Sequence, residues 1–489
     1  MSIIKIVAFL LIFLYILPFM TAVCCMFPII RHICFACMVY FTSNGYSLNI
    51  APLPFWTGTA RGFAFTAVSL FAVPVLLSTV LMPQYRVRLF PPGAFFYFLY
   101  YMAICISGVN ALYLQQWGFE VCKMFWMYIT FLAAFNYLNN CKDLTFFICI
   151  VCSVLICLFL VGFRQKYMIG QYQINSTFPH QNSLSIYLEL FGLLVLGVLM
   201  NEQMGKVLFV LTLFAFCGAV LLIIFTYSRG GLVVYFGGIA LVCALSILCN
   251  GFSARRLLLM LIGLLFMLSI VGYALPRIIQ RFTKAPESSK NTRIAFVLAS
   301  RRIANDYRLG VGANNYAEYS GGDGKYDYAR ELYPHGYPKY GGIVETIYLL
   351  VAAECGWYGL GLLLLWFLYY YFSALISVFV LRKQPCSGII IGIFAGLTCA
   401  YWHSTLEWSL KQENNFAQQM IIYALIGVIA INRKKIKAAH QRRLERQREL
   451  LLQKRRSMLP PQKRQDAPPP VPVTPPPVPA TPSPRPAAG

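Results

Sequence analysis

One arginine lies between two apolar segments, where a fixed positive charge is unusual. Arg229 belongs to the segment 226–231, Thr-Tyr-Ser-Arg-Gly-Gly, which joins two apolar segments with almost no loop between them. An arginine at a membrane interface can extend its charged end into water, and that is one explanation. The other is a cation that binds phosphate, because a guanidinium contacts two phosphate oxygens at once and Gly230 and Gly231 allow a close approach.

A second polar block precedes another apolar segment. Residues 177–188 read Thr-Phe-Pro-His-Gln-Asn-Ser-Leu-Ser-Ile-Tyr-Leu, which places His180 and Asn182 on the same side of the membrane as Arg229. We expect both residues to bind substrate. Capping of the following helix is a sufficient structural explanation for Asn182 or Ser183, and it stays open.

The third block begins with a carboxylate. Glu345 opens an apolar segment that continues through residue 359, and helical spacing puts Tyr348 on a neighbouring face. Gly356 and Gly359 allow this helix to break or to pack tightly. Glu345 is a candidate catalytic residue and Tyr348 a candidate substrate contact, although a carboxylate at a helix start is also simply stabilising.

The chain that contains these blocks is too apolar to be a water-soluble globular protein. Of 489 residues, 58% are hydrophobic and only 12% are charged, which also excludes a disordered chain. A spanning helix needs about 20 apolar residues, and the pattern predicts an all-α membrane bundle of about twelve. The predicted spans are 4–29, 62–82, 95–113, 121–139, 144–163, 183–200, 207–226, 230–249, 257–275, 346–381, 387–404 and 417–432. Apolar character continues from the first span to Phe41, so this stretch holds either one span with an interfacial piece or two spans.

The basic residues predict which way the bundle faces. In a twelve-span arrangement one set of basic residues falls on the same side: Arg86, Arg88, Arg255, Arg256, Arg382, Lys383 and the tail from Arg433. By the positive-inside rule that side is cytoplasmic, so both termini are expected inside. The formal charge of +24 therefore indicates membrane topology, and no nucleic-acid partner is expected. The expected parts are helices 1–9 in 1–275, a large outer loop in 276–344, helices 10–12 in 345–432, and a tail in 433–489.

The outer loop does not follow the charge rule. It carries eleven basic and six acidic residues, and an anionic ligand outside the membrane would explain the excess. A long loop that crosses regardless of charge is the other explanation. Within it, residues 293–305 are expected to form a short helix, whose apolar face lies at the membrane interface and consists of Ile294, Val297, Leu298 and Ile303.

Two further features of the loop and tail carry expectations. Residues 309–316, Leu-Gly-Val-Gly-Ala-Asn-Asn-Tyr, form a glycine-rich turn that is a weak candidate for a phosphate cradle, with Tyr316 as a candidate substrate contact. Past the last span, residues 433–456 are basic and suit an anionic inner leaflet. Residues 460–489 hold 13 prolines and are expected to be an extended spacer or a docking segment for a partner.

Taken in order, these blocks resemble the O-antigen ligase / O-antigen polymerase family of bacterial polytopic membrane glycosyltransferases. The resemblance covers 177–188, 226–232, 293–316 and 345–359. The matching positions are Ser228, Arg229, Gly230, Arg293, Gly310, Val311, Gly312, Tyr348, Leu349, Glu354, Gly356 and Gly359. Each block alone is degenerate, and their common order carries the resemblance.

One departure concerns the base. Where the ligases have His-Asn, this chain has Glu345 and Thr346. Glu345 can itself take the proton, since carboxylates serve as general bases. Alternatively His335, ten residues upstream and a further candidate substrate contact, folds back, or polymerase-type activity replaces ligase activity.

The resemblance implies a reaction at the outer face of a bacterial inner membrane. The donor would be a glycan on a polyprenyl diphosphate, and the acceptor a sugar hydroxyl on a glycolipid or glycan. Arg229 and Arg293 would stabilise the diphosphate that leaves. No Asp-x-Asp motif is present, so the expected site needs neither metal nor cofactor. The same family also offers polymerase activity, and a transporter is the alternative from a different class, although we find no internal repeat.

Overall fold

The computed structural model describes residues 3–53, 56–141, 143–283, 287–321, 325–328 and 342–457. Within this part the chain is helical apart from one short antiparallel pair, β1 (Ser47–Asn49) and β2 (Ala64–Thr66). The helices are α1 (Ile3–Met26), α2 (Pro28–Phe41), α3 (Ala67–Leu81), α4 (Ala94–Ser107), α5 (Leu114–Asn139), α6 (Thr145–Phe163), α7 (Gln181–Asn201), α8 (Lys206–Thr226), α9 (Arg229–Asn250), α10 (Ala254–Thr283), α11 (Glu287–Asp306), α12 (Tyr316–Gly321), α13 (Ile347–Val380), α14 (Ser387–His403) and α15 (Glu413–Ser457).

The helices make this a multi-pass membrane protein by their length and composition. Among the described residues, eight are long and apolar enough to cross a bilayer: α1, α5, α6, α7, α8, α9, α13 and α15. The apolar helices α2, α3, α4 and α14 are shorter. Each of the twelve segments predicted from the sequence overlaps a helix, and α2 is an additional one.

Successive helices run between two ends of the bundle. One end, called the basic end here, gathers the basic residues that the sequence analysis placed on one side. Their contacts join the connections there: Arg86 and Arg88 to Asn140 and Asn136, Arg255 to Glu202, Lys383 to Asn250, and Arg433 to Ser373 and Ser377. The opposite end carries β1 and β2 and is called the sheet end.

The first helix begins at the sheet end. Phe9 packs edge-on against Phe63 and Phe65, which belong to the β2 segment. At the other end of this helical pair, Arg31 of α2 stacks 3.7 Å from the ring of Tyr85, in the connection that also carries Arg86. The expectation that both termini lie at the same end is therefore wrong for the N-terminal helix. Its physical cause is the break before Pro28, which divides the apolar run into two antiparallel helices.

A stripe of glycines brings α14 against α7 at the centre of the bundle. Gly388, Gly392 and Gly396 recur every four residues and lie on one face of α14. A Cβ atom at Gly392 would stand 2.4 Å from a backbone oxygen of Leu193, so only glycine permits this approach. Small residues at this spacing let membrane helices pack backbone to backbone. The stripe therefore sets a short distance between α7 and α14.

The glycine-rich turn at 310–312 is structural, which corrects the phosphate-cradle expectation. Helix α13 is interrupted at Gly356, where φ is 73° and ψ is 171°. The turn fits against this break: the amides of Val311 and Gly312 donate to the carbonyls of Ala353 and Glu354, each at 3.0 Å. The turn thereby supplies partners to carbonyls near the helix break. Its amides are used within the protein.

The outer helix α11 packs mainly through alanines. Ala295, Ala299 and Ile303 are buried, whereas Ile294 and Leu298 remain more than two-fifths exposed. Of the predicted apolar face, Ile303 therefore packs inside the protein, and a place at the membrane interface for Ile294 and Leu298 stays a prediction. The chain's second compact unit begins at Lys437 and continues as helix to Ser457, and its basic side chains are exposed from Arg442 to Arg448. The proline-rich segment lies outside the described residues.

Candidate functional site

A cavity of about 1300 Å³ opens at the sheet end. Its walls come from the connection between α2 and α3, the segments before α7 and α9, helix α11, and the residues between α14 and α15. Five residues singled out from the sequence line this one cavity: His180, Asn182, Arg229, Arg293 and Glu345. They come from four separate segments of the chain, so the fold brings them together.

Arg229 is the first residue of α9. Ser228 caps this helix, with its hydroxyl oxygen 3.2 Å from the amide nitrogen of Gly231. Tyr227 just before it has a left-handed backbone, with φ of 48°, which turns the chain out of α8 within two residues. The guanidinium of Arg229 is half-buried and forms no hydrogen bond or ion pair with any residue the structure describes. It is available to a ligand.

The glycines that follow Arg229 have a packing role. A Cβ at Gly231 would lie 2.6 Å from the hydroxyl oxygen of Ser185 on α7. A Cβ at Gly230 would lie 3.2 Å from the Nε2 atom of His403 on α14. Both glycines therefore let α9 begin against its two neighbours, and Gly230 keeps the space in front of the imidazole open.

Arg293 joins two carboxylates in the cavity. Its Nε atom forms an ion pair with Glu345, and a terminal nitrogen lies 3.9 Å from Glu407 Oε1. The side-chain amide of Asn182 donates to Glu407, so Asn182 holds this carboxylate. The capping explanation for Asn182 does not apply, because the capping side chain of α7 is that of His180.

Burial sets the protonation of these groups. It raises the pKa of Glu345, and the charge of Arg293 opposes the rise. Burial and the neighbouring Glu345 raise the pKa of Glu407 to about 7. Burial and the charge of Arg293 lower the pKa of His180. The carboxyl of Glu407 in the cavity wall therefore has a pKa close to neutral pH.

Positive charge, the buried carboxyl of Glu407 and the partly exposed carboxylate of Glu345 occur together in a cavity large enough for a sizeable polar ligand. The sequence matches no protein-family model and no curated protein. The chemistry of the site is therefore argued from its geometry. Three arginines, Arg61, Arg229 and Arg293, provide cations for an anionic ligand, and Glu345 and Glu407 provide groups that can accept a proton.

One histidine in the cavity wall, His403, was not predicted from the sequence. His403 ends α14, and its Nδ1 lies 2.7 Å from Oε1 of Glu189, which is fully buried on α7. His403 follows Gly396 by seven residues and so shares the face of the glycine stripe, which was the available signal. Glu407 was missed as well, because the short segment 405–416 was treated only as a connection.

A separate cluster of buried charges lies beside the cavity. Lys411 is 2.6 Å from Glu354 and 3.4 Å from Glu120, and Lys123 is 2.6 Å from Glu120. A second oxygen of Glu354 accepts from the amide of Asn314 at 2.9 Å. Two lysines and two glutamates thereby balance, and they fasten the outer turn and α5 to the segment that leads into α15.

Two other expected substrate contacts, Tyr316 and Tyr348, do not line this cavity. The hydroxyl of Tyr316 donates to the carbonyl of Phe296 inside a small outer core, away from the cavity. The hydroxyl of Tyr348 donates to the carbonyl of Tyr401 between helices. Both side chains support the fold because aromatic hydroxyls need a partner when buried. His335 lies outside the described residues.

Proposed function

We propose that this protein is a membrane glycosyltransferase of the O-antigen ligase type, which transfers a glycan from a polyprenyl diphosphate to an acceptor. The observation that carries the proposal is the single cavity shared by Arg229, Arg293 and Glu345. The proposal includes about twelve spans in a bacterial inner membrane, with the cavity on the periplasmic side. That sidedness is supported by the basic residues at the opposite end of the bundle.

The proposed reaction forms one bond and breaks one. The acceptor's hydroxyl oxygen attacks the anomeric carbon of the donor sugar, and the bond from that carbon to the diphosphate oxygen breaks. The polyprenyl diphosphate leaves with the electron pair, and Glu345 takes the hydroxyl proton. Developing negative charge on the leaving group is stabilised by fixed cations. Arg229 suits this role because its guanidinium has no partner among the described residues.

The ion pair between Arg293 and Glu345 suits a switch in the base. A diphosphate that binds Arg293 competes with Glu345 for the same cation. Glu345 then loses a charge that lowers its pKa, while burial continues to raise it. Donor binding would therefore make Glu345 a stronger base at the moment when the acceptor must be deprotonated.

The test is turnover by the purified protein in lipid vesicles, with a polyprenyl-diphosphate glycan as donor and a glycolipid as acceptor. Arg229→Gln and Arg293→Gln should each lower the rate by about 100-fold or more, the usual effect of removing a transition-state donor. Arg301→Gln is the matched control, since Arg301 is exposed on the same helix as Arg293. Wild-type rates in both cavity variants would contradict the proposal.

The acceptor is tested in cells. Loss of a ligase leaves no polysaccharide on the acceptor lipid, whereas loss of a polymerase leaves single repeat units attached. We expect the ligase pattern in a deletion strain. Single attached units would assign the polymerase reaction to the same site, and loss of surface polysaccharide with the lipid-linked glycan retained on the cytoplasmic face of the membrane would favour transport.

A further inference from the structure

The pair formed by Glu189 and His403 has no role in the reaction described so far. Glu189 is fully buried, and its second oxygen, Oε2, has no partner in the described part of the chain. Its one ionic contact there is His403. Tyr235 and Cys399 also face this carboxyl, and neither side chain supplies positive charge. Any charge on Glu189 is therefore balanced by His403 or left unbalanced.

Charge balance fixes where the protons lie. An unpaired charge in a buried site is costly, so the favoured states of this pair are neutral overall. In one, a carboxylate faces an imidazolium, and both ring nitrogens carry a proton. In the other, a protonated carboxyl donates to Nδ1, and the neutral imidazole carries its proton on Nε2. Both states put a proton on Nε2. Only the state with one uncompensated negative charge leaves Nε2 free to act as a base.

The Nε2 atom faces the start of α9. His403 lines the cavity, and its Nε2 lies 3.2 Å from the point where a side chain at Gly230 would begin. Nε2 forms no hydrogen bond with any described residue, although the His403 side chain is only 2% exposed. Arg229, whose guanidinium is also without a partner, is the neighbour of Gly230 in the chain. The free amides of a helix start add positive potential at the same place.

We propose that His403, held by Glu189, donates a hydrogen bond through Nε2 to the same phosphate group that Arg229 binds. This inference rests on the proposed function, because it assigns a further binding group to the diphosphate of the donor. The ligand class is a phosphate or diphosphate ester. Gly230 is part of this binding site, since any side chain there would fill the space between Nε2 and the ligand.

The experiment measures binding of farnesyl diphosphate to the full-length protein in phosphatidylcholine nanodiscs. His403→Asn keeps a polar group beside Glu189 and removes the donor that reaches the cavity. His403→Gln puts an amide N–H near the place of Nε2. We expect binding about tenfold weaker for the asparagine variant and within about threefold of wild type for the glutamine variant, since one hydrogen bond to a charged group is lost only in the first.

A third variant tests the same hydrogen bond without changing His403. Gly230→Ala leaves the Glu189–His403 pair in place and puts a methyl group in front of Nε2, so it should also weaken binding severalfold. Melting temperatures close to that of the wild type for Gly230→Ala and His403→Gln show that the fold is retained.

The outcomes separate this inference from the proposed function. If Arg229→Gln weakens binding while His403→Asn binds like the wild type, the inference is overturned and the proposed function stands. Wild-type binding by His403→Asn together with lost turnover would make His403 a base instead, which also overturns it. If the wild-type protein does not bind farnesyl diphosphate at all, both proposals fall.

Discussion

Glu407 makes the stability of the ligand-free protein depend on pH in a direction that can be worked out. Burial and the neighbouring Glu345 raise its pKa from an ordinary value of 4.5 to about 7. The folded protein therefore holds this proton more tightly than the unfolded chain does. The resulting stabilisation is complete below the unfolded value and is lost as the pH rises through the folded value. The window runs from about pH 4.5 to about pH 7.

The substitution Glu407→Gln replaces the carboxyl by a neutral group of the same shape. A shift from 4.5 to about 7 spans roughly two and a half pKa units. At about 1.4 kcal/mol per unit, ionised Glu407 costs the folded state about 3 kcal/mol. We expect the glutamine variant to match the wild type near pH 4.5 and to be about 3 kcal/mol more stable at about pH 8.

The assay is unfolding of the purified protein in detergent, followed at several pH values for both proteins. The diagnostic quantity is the difference between their free energies of unfolding. This difference should increase steadily in favour of Glu407→Gln as the pH rises. Glu449→Gln, on the exposed part of α15, controls for the loss of one negative charge. Parallel curves for Glu407→Gln and the wild type would refute the reasoning, because they would mean that Glu407 keeps the same affinity for its proton on folding.

Three further outcomes follow from the structure. Lys411→Met leaves Glu354 and Glu120 without their shared cation, so chemical unfolding should show a loss of about 3–5 kcal/mol, partly restored by Glu354→Gln in the same chain. Gly356→Ala forces a side chain into a backbone conformation reserved for glycine and should lower the free energy of unfolding by more than about 2 kcal/mol, whereas Gly361→Ala, in open space on the same helix, should not. Turnover should be unaffected by EDTA, because arginines supply the positive charge; loss of activity that added Mg²⁺ restores would contradict this.

The helices could be predicted well because the bilayer imposes a length and a composition on each of them. Helix α2 shows where that criterion fails. It has 14 residues, about 21 Å of helix, which is too short for a search that expects twenty apolar residues. Its burial against α3 and α6 is a tertiary property. The twelve-span arrangement counts one crossing in this stretch, whereas the structure has two helices there, which reverses the direction expected for the first helix.

The cavity shows a similar division. Arg229, Arg293 and Glu345 could be found because each stands out locally, as a charge beside an apolar segment. Glu189 and His403 are 214 positions apart in the chain, and each on its own looks like an isolated polar residue in a helix. Only the approach of α7 and α14 pairs them. Tyr316 is the opposite case: it is close in sequence to a glycine-rich turn, but that proximity does not determine where its side chain points, and Tyr316 does not line the cavity.

The alternation of helices bears on the anionic ligand that we propose for the cavity. Helices that run from the sheet end to the basic end begin at the end where the cavity opens, and the starts of three of them, α7, α9 and α15, line it. A helix start carries partial positive charge, so an acidic residue there is stabilising and an arginine is not. Arg229 occupies the first position of α9 against that preference, and no described carboxylate compensates it. A bound phosphate would relieve both conflicts at once, since it pairs with the guanidinium and accepts from the free amides. The position of Arg229 therefore makes structural sense as part of a binding site that is completed by its ligand.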